Sequence, residues 1–397
     1  MSAPGLEANI DFINATYDEY FSKSKRGLAM TNELLRNSYV FSGLMDDKID
    51  VQGGNTCQFD CLMRKSGNVG FASAGKTREV KSSKHNVRGS ANWSVFETGF
   101  TIDDIEDLLN SGEFQIFDLI AQREEGMLTE GHNLLEETFF DSVGNADRIS
   151  GEDPPFQGLK FHVTRHGRHV DGSSTVNGVD TALDKRWLNR YCGPLGSNFN
   201  KDFTDSTAET ITSGNQLLDK VEKALMYCRF KSPNDLKMGQ DDKVKAMIAK
   251  QKIWVDMIGY EALRVAQRAI GNGRDQIQPE EMVVVGEPTI RGLPVTWIED
   301  LGLGSGGVPS YCNSVSAGSG ATAVVAGAYA NTGECFLVNQ ANLKVIGHTK
   351  AFPQKKPMQF LAKEQVAWQL MRWLMSVVCN SRQRQCCIWG FTPINRG

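Results

Sequence analysis

The sequence predicts an α+β chain whose first half is too extended to cover itself, and three observations carry that prediction. One long amphipathic pattern fills 110–144, with apolar residues at Phe114, Ile116, Phe117, Leu119, Ile120, Met127, Leu128, Leu134, Leu135, Phe139 and Phe140, near the three-and-four spacing of a single buried helical face. Ahead of it, 54–102 alternates in the manner of half-buried strands on either side of a polar, basic stretch. Behind it, helical and strand-like patterns mix through to the C-terminus.

Taken in order, 1–50 mixes aromatic and charged residues (Phe12, Tyr17, Tyr20, Phe21) with one short helical pattern at 28–35, and reads as an arm that packs on something else. From Cys57, Phe59 and Cys61 alternate with Gln58, Asp60 and Leu62, which predicts a strand. A return strand is expected over 92–102. Between them Lys65, Lys76, Arg78, Lys81, Lys84 and Arg88 face a single acid, Glu79, so 54–102 reads as a long hairpin with a basic tip that cannot form a core.

The helix that follows has a start signal in Asn110 with Glu113 three residues on, and a stop signal in Gly144. About 33 residues between them would span about 50 Å. Pro154 and Pro155 then break the chain, and 159–163 reads as a short strand leading into Arg- and His-rich sequence. A second compact region opens at Trp187. Helical patterns at 217–227 and 255–270 alternate there with strands at 282–285, 293–298, 321–329, 336–338 and 343–346, and a glycine-rich loop fills 302–320. An apolar segment, 366–378, closes the pattern before Asn380, Arg382 and Arg384.

Composition narrows the function classes. A formal net charge of -4 argues against a general nucleic-acid binder. No apolar run nears the ~20 residues of a membrane span, and MSAPGLEANIDF lacks a signal peptide's basic flank and apolar core, so a cytoplasmic site of synthesis and use is expected. Nine cysteines at irregular spacing fit reduced, buried thiols better than a disulfide framework.

Three motifs point elsewhere and fail on context. Gly70 to Thr77 matches the phosphate-loop pattern ending in Gly75-Lys76-Thr77, the signature of a nucleotide hydrolase, yet neither a buried strand before it nor a helix after it is present to aim backbone amides at a phosphate. His162, His166 and His169 suggest a metal, but Arg165 and Arg168 stand among them and an extended chain would hold His162 and His166 about 13 Å apart. A polar connecting loop is the reading preferred there. Cys57 and Cys61 fail the same distance test, and Cys386 and Cys387 would point to opposite faces of a strand. No Gly-x-Ser-x-Gly elbow or His-Glu-x-x-His helix occurs, and no catalytic, cofactor or metal residue is assigned.

The order of parts resembles the major capsid proteins of tailed bacteriophages, with the fold named after phage Hong Kong ninety-seven. The run NSGEFQIFDLIAQREEGMLTEGHNLLEETFFDSVG resembles the spine helix of one capsid group. SSTVNGVDTALDKRWLNRY resembles its entry into the A-domain, and Lys363 to Ala367 with Asn380-Ser381-Arg382 resembles its closing strand. The resemblance implies an N-terminal arm (1–50), an E-loop (51–102), a P-domain (103–175) with spine helix 111–143, an A-domain (176–334), and returning P-domain strands (335–397).

It also implies a shell protein and not an enzyme, one that assembles with itself into hexamers and pentamers of an icosahedral head around double-stranded DNA. A separate scaffolding protein, a portal and a decoration protein are the expected partners, with no cofactor and no membrane, and the location is the virion capsid assembled in the host cytoplasm. With no long coiled-coil pattern ahead of the arm, a fused scaffold of the kind some relatives carry is not expected. Within the fold, the rival is an encapsulin shell enclosing cargo enzymes. The family's E-loop crosses a neighbour's P-domain, so the basic residues Lys76, Arg78, Lys81, Lys84 and Arg88 are expected against a neighbour's Glu124, Glu125, Glu130, Glu136 and Glu137.

Overall fold

A computed structural model of the chain describes residues 40–62, 86–103, 119–141, 156–167, 175–180, 185–194, 196–199, 207–228, 251–273, 288–301, 332–356, 359–361 and 366–391. Two large sheets organise them. The segment 366–378, read only as apolar, is a 14-residue strand, Val366–Cys379, at the centre of a six-stranded sheet. Ser94–Asp103 pairs antiparallel along one edge, from Asp103 opposite Val366 to Ser94 opposite Met375. Its other edge takes Gln359–Leu361, Gln354–Lys355 and Leu343–His348 in succession, and Ile49–Val51 adds parallel to the last.

Alternation along the long strand decides what each face does. Met371, Trp373, Met375, Val377 and Cys379 point to one face and pack with Phe100, Ile102, Leu343 and Val345 against the helix Leu119–Asp141. That helix contributes Met127, Leu135, Phe139 and Phe140, the last two edge-on to Trp254. On the reverse face Trp368, Leu370 and Leu374 are only half-buried, and Val95, opposite Leu374, is 50% exposed.

The second sheet has seven strands, ordered Thr289–Ile290, Leu293–Trp297, Gln251–Val255, Gly333–Asn339, Cys386–Phe391, Arg190–Gly193 and Gly196–Ser197. Every residue of its two central strands is buried. Helices Gly214–Cys228 and Met257–Gly273 cover one face around Ile253, Leu337 and Ile388, while Trp254, Phe336 and Trp389 on the other face join the core of the first sheet. Cys386 and Cys387 therefore fall into different cores.

Polar side chains lock together two of the places where the chain crosses between the sheets, after Asn339 and after Cys379. Gln385 Oε1 accepts from Asn339 N at 2.8 Å, and Gln385 Nε2 donates to Asn339 O at 3.1 Å. Arg382, wholly buried, donates from Nε to His162 O at 2.7 Å and from Nη1 to Trp187 O at 3.2 Å and Gly167 O at 3.3 Å. A buried guanidinium is costly unless its donors are met, and main-chain carbonyls of two otherwise irregular segments meet these.

Several expectations change here. The hairpin from Cys57–Leu62 returns on Asn86–Ala91, not on 92–102; the later strand, Ser94–Asp103, belongs to the first sheet. Gly89 makes the earlier return possible, since a Cβ there would lie 2.6 Å from the Phe59 ring that crosses it. Trp93, between the two strands, donates its indole N–H to Gly54 O at 2.9 Å and ties the legs of the hairpin together. The 159–163 strand is instead a single helical turn, Leu159–His162, closed by Val163 N donating to Leu159 O at 2.8 Å. A run so short has no period to distinguish the two states. The long helix is described from 119 to 141, so the signals at Asn110, Glu113 and Gly144 lie outside the described residues, as do the expected pattern at 28–35 and strands at 282–285 and 321–329.

Candidate functional site

The long helix presents two chemically different sides. Toward the sheet lie Met127, Gly131, Leu135, Phe139 and Phe140; away from it Arg123, Glu125, Gly126, Glu130, Leu134 and Glu137 are exposed. The expected acidic surface is thus present through Glu125, Glu130 and Glu137, with Leu134 between them, 51% exposed.

Glu124 and Glu136, both among the expected acids, are engaged within the chain. Glu124 binds Lys355 of the same chain at 2.6 Å. Glu136 corrects the sequence reading outright: it is 1% exposed, and its two oxygens accept from Val40 N at 2.7 Å and Phe41 N at 2.8 Å. Those are the first amides of the helix Val40–Asp46, whose N–H groups have no partner within the helix, so a buried carboxylate is met by charge-assisted bonds. Phe41 stacks on Phe156 and meets Phe139, and Ser42 Oγ pairs with His132 Nδ1 at 3.1 Å. The sequence carried a signal for this. Glu136 stands four residues before Phe140, on the buried stripe, where a surface acid has no place.

Of the basic set, Arg88 lies on the hairpin strand, with Nε 3.1 Å from Asp60 and Nη1 3.3 Å from Gln58. Lys76, Arg78, Lys81 and Lys84 lie outside the described residues, as does the Gly70 to Thr77 motif. Within one chain Arg88 and the helix acids are not brought together. The root of the hairpin is firmly seated: Cys57, Phe59 and Ala91 share a small core with Phe161, Val176, Val179, Trp187, Ile346 and Val378.

The histidine segment is not the polar loop expected. His162 is wholly buried, donating from Nε2 to Val377 O at 3.2 Å, and burial with the nearby Arg382 charge holds its pKa down to about 3. Lys160 beside it is also buried, and His169 lies outside the described residues. Among the described residues no group of three His, Cys, Asp or Glu is placed to hold a metal, and no helix is long and apolar enough to cross a membrane. The seven described cysteines with placed side chains are free and buried, and burial pushes Cys57, Cys192 and Cys228 up to about 12, which makes them core residues and not nucleophiles.

No family model matches the chain, and no curated protein matches it by sequence. Solved structures do. The capsid asymmetric unit of cyanophage A-1(L) is similar over 91% of this chain and 95% of that one, with a TM-score of 0.50 at 12% identity. The chain has the fold of tailed-phage capsid proteins. The capsid of cyanophage P-SCSP1u is similar over 94% of this chain and 93% of that one, at TM-score 0.48 and 12% identity. The holo-SrpI encapsulin complex of Synechococcus elongatus is similar over 93% and 96%, at TM-score 0.46 and 10% identity. The capsid fold accounts for a mixed α+β chain of few helices and several sheets, the class expected from the sequence.

Proposed function

We propose that this chain is the major capsid protein of a tailed bacteriophage, assembling into hexamers and pentamers of an icosahedral head that encloses double-stranded DNA. The observation that carries the reading is the capsid fold over 91% of the chain. In this reading the helix Leu119–Asp141 is the spine, the Cys57–Leu62 and Asn86–Ala91 strands are the root of the E-loop, the first sheet is the P-domain and the second is the A-domain. In this reading the arm expected over 1–50 joins the P-domain from 40 onward, through Phe41, Leu44 and the strand Ile49–Val51. Scaffolding, portal and decoration proteins are the partners such a head requires, and the virion the location.

Contact between subunits follows from what one subunit leaves open. The half-buried face around Trp368, Leu370, Leu374 and Val95 supports a neighbour's hairpin crossing the P-domain, because each of these side chains gains by losing water. The basic tip, Lys76, Arg78, Lys81 and Lys84, would then meet the acids still exposed on the helix, Glu125, Glu130 and Glu137. Charge reversal at Lys76, Arg78 and Lys81 should lower assembly yield and its sensitivity to salt; unchanged values of both would remove the charge contact from the reading.

Electron microscopy of the purified full-length chain tests the function. Closed shells are expected, and particles the size of a single chain would overturn it. Nuclease-protected DNA in shells from the native source supports a phage head, whereas protein cargo without DNA would make the chain an encapsulin.

A further inference from the structure

Beneath the root of the hairpin lies a two-residue turn made of a chemically reactive pair. The strands Thr175–Val176 and Val179–Asp180 run antiparallel, with Thr175 opposite Asp180 and Val176 opposite Val179, and Asn177 and Gly178 close the turn between them. Both have positive φ, 52° and 77°, as a two-residue hairpin turn requires, and Asn followed by Gly adopts those angles with least strain. Val176 and Val179 sit in the small core with Cys57, Phe59, Ala91 and Trp187, and the Trp187 indole donates to Val176 O at 3.1 Å. The turn itself is tied to the hairpin: Ser90 N, on the strand Asn86–Ala91, donates to Asn177 O at 2.9 Å.

The Asn177 side chain takes no part in this. It is 8% exposed, and neither its Oδ1 nor its Nδ2 has a hydrogen-bond partner among the described residues. A buried amide without partners costs stability, so Asn stands here for its backbone. It brings a latent reaction, in which the main-chain nitrogen of the next residue attacks the side-chain carbon, and a glycine there leaves the approach unhindered. For the attack, the Gly178 nitrogen must lie on the same side of the Asn177 Cα–C bond as Cβ. In a turn of this type ψ of the first central residue is about +30°, which puts that nitrogen nearly opposite Cβ. Rotating it into place swings the Asn177 carbonyl away from Ser90 N, because carbonyl and nitrogen share one rigid peptide plane.

We propose that Asn177 is a deamidation site that the seated strand Asn86–Ala91 holds shut, so that modification marks chains whose hairpin root has opened. The Gly178 N–H gives its proton to solvent base and the nitrogen bonds to Asn177 Cγ; the Cγ–Nδ2 bond breaks, and Nδ2 takes up a proton and leaves as ammonia. Water then opens the resulting succinimide at either carbonyl. The balance is asparagine plus water to aspartic acid or isoaspartic acid plus ammonia. Either product puts a carboxylate where a buried amide had no partner, and isoaspartate also lengthens the main chain of a two-residue turn, so the root seats less firmly afterwards. The reaction does not depend on shell assembly.

Peptide mapping by mass spectrometry of the full-length protein, held in mildly alkaline buffer with and without denaturing urea, tests the site. In urea Asn177 should gain one nominal mass unit and become a substrate for isoaspartyl labelling, alongside Asn272, the chain's other Asn before Gly. In the native chain the reaction at Asn177 should be at least about tenfold slower, and low concentrations of urea should speed it in step with hydrogen exchange at the Ser90 amide. Asn177→Gly, which accepts positive φ, should remove the signal, whereas Asn177→Asp should speed exchange at the Ser90 amide. Asn177 intact in urea while Asn272 reacts would overturn the site. Equal rates in native and unfolded chains, or a native rate that does not follow Ser90 exchange, would overturn the gate. These wild-type measurements decide both even where a variant does not fold.

Discussion

The two sheets are built from similar strands but finished differently. The seven-stranded sheet is covered on both faces, so that Gly333–Asn339 and Cys386–Phe391 show no exposed residue, and its space is filled tightly enough that a Cβ on Gly193 would fall 2.5 Å from the Trp389 indole. Among the described residues, the six-stranded sheet is finished on one face by the long helix and on the other near Ile346 and Val378, while Leu374, Leu370 and Trp368 are half-buried and Val95 is exposed. One sheet is covered within a single chain. The other leaves a half-covered face among the described residues, and it is there that the proposed function would seat a second copy.

Substitutions should therefore act on folding in one region and on assembly in the other. The largest effect is expected where the sheets are joined. Arg382→Leu strands the carbonyls of His162, Gly167 and Trp187 in the interior, which should cost about 3–5 kcal/mol in urea denaturation of dissociated subunits. Phe139→Ala, which removes a ring packed on Phe41, Phe140 and Trp254, should cost about 3–5 kcal/mol by the same measurement. A loss below about 1 kcal/mol in either would mean that the shared core is looser than described.

Acid sharpens the comparison further. His162 is held neutral in the fold, its pKa lowered from 6.5 to about 3, so the unfolded chain takes up a proton first as pH falls. The stability linked to it is present above about 6.5 and is lost as pH drops toward about 3. His162→Gln, which keeps a donor for Val377 O, should flatten that loss in a pH series of thermal melts.

Smaller effects belong to the periphery. Glu136→Ala should cost about 1–3 kcal/mol and speed hydrogen exchange at Val40 and Phe41, with Glu136→Gln between it and the wild type. Val95→Ser should change subunit stability by less than about 0.5 kcal/mol while lowering the yield of assembled particles, measured by sedimentation. If Val95→Ser left assembly untouched, the open sheet face would not be a contact.

What could be read in advance follows from the length of each pattern. The helix showed itself through 3.6-residue periodicity sustained over many turns, and the α+β class through alternating patterns on either side of it. The strand Val366–Cys379 was recognisable only as apolar, because Trp368, Leu370 and Leu374 on its open face are as greasy as Met371, Trp373 and Met375 on its buried face. That lack of alternation is itself what a neighbour's cover would require. The hairpin's true return was hidden because Arg88 resembles the basic tip, while the cue, Gly89 opposite Phe59, exists only once the register is known. Arg382 was legible as a charge but not as an interior one, since its partners lie distant in sequence, whereas the place of Glu136 on the buried stripe marked it as interior without naming the Val40 and Phe41 amides it meets.

Sedimentation of the purified full-length chain over a wide concentration range is the most direct test of the claim that the half-covered sheet is completed by other copies. Capsomers or closed particles, with little free subunit once assembly begins, are the predicted outcome. A single 43.9 kDa species that persists at every concentration, with the face around Trp368 and Leu374 stably in water, would contradict it.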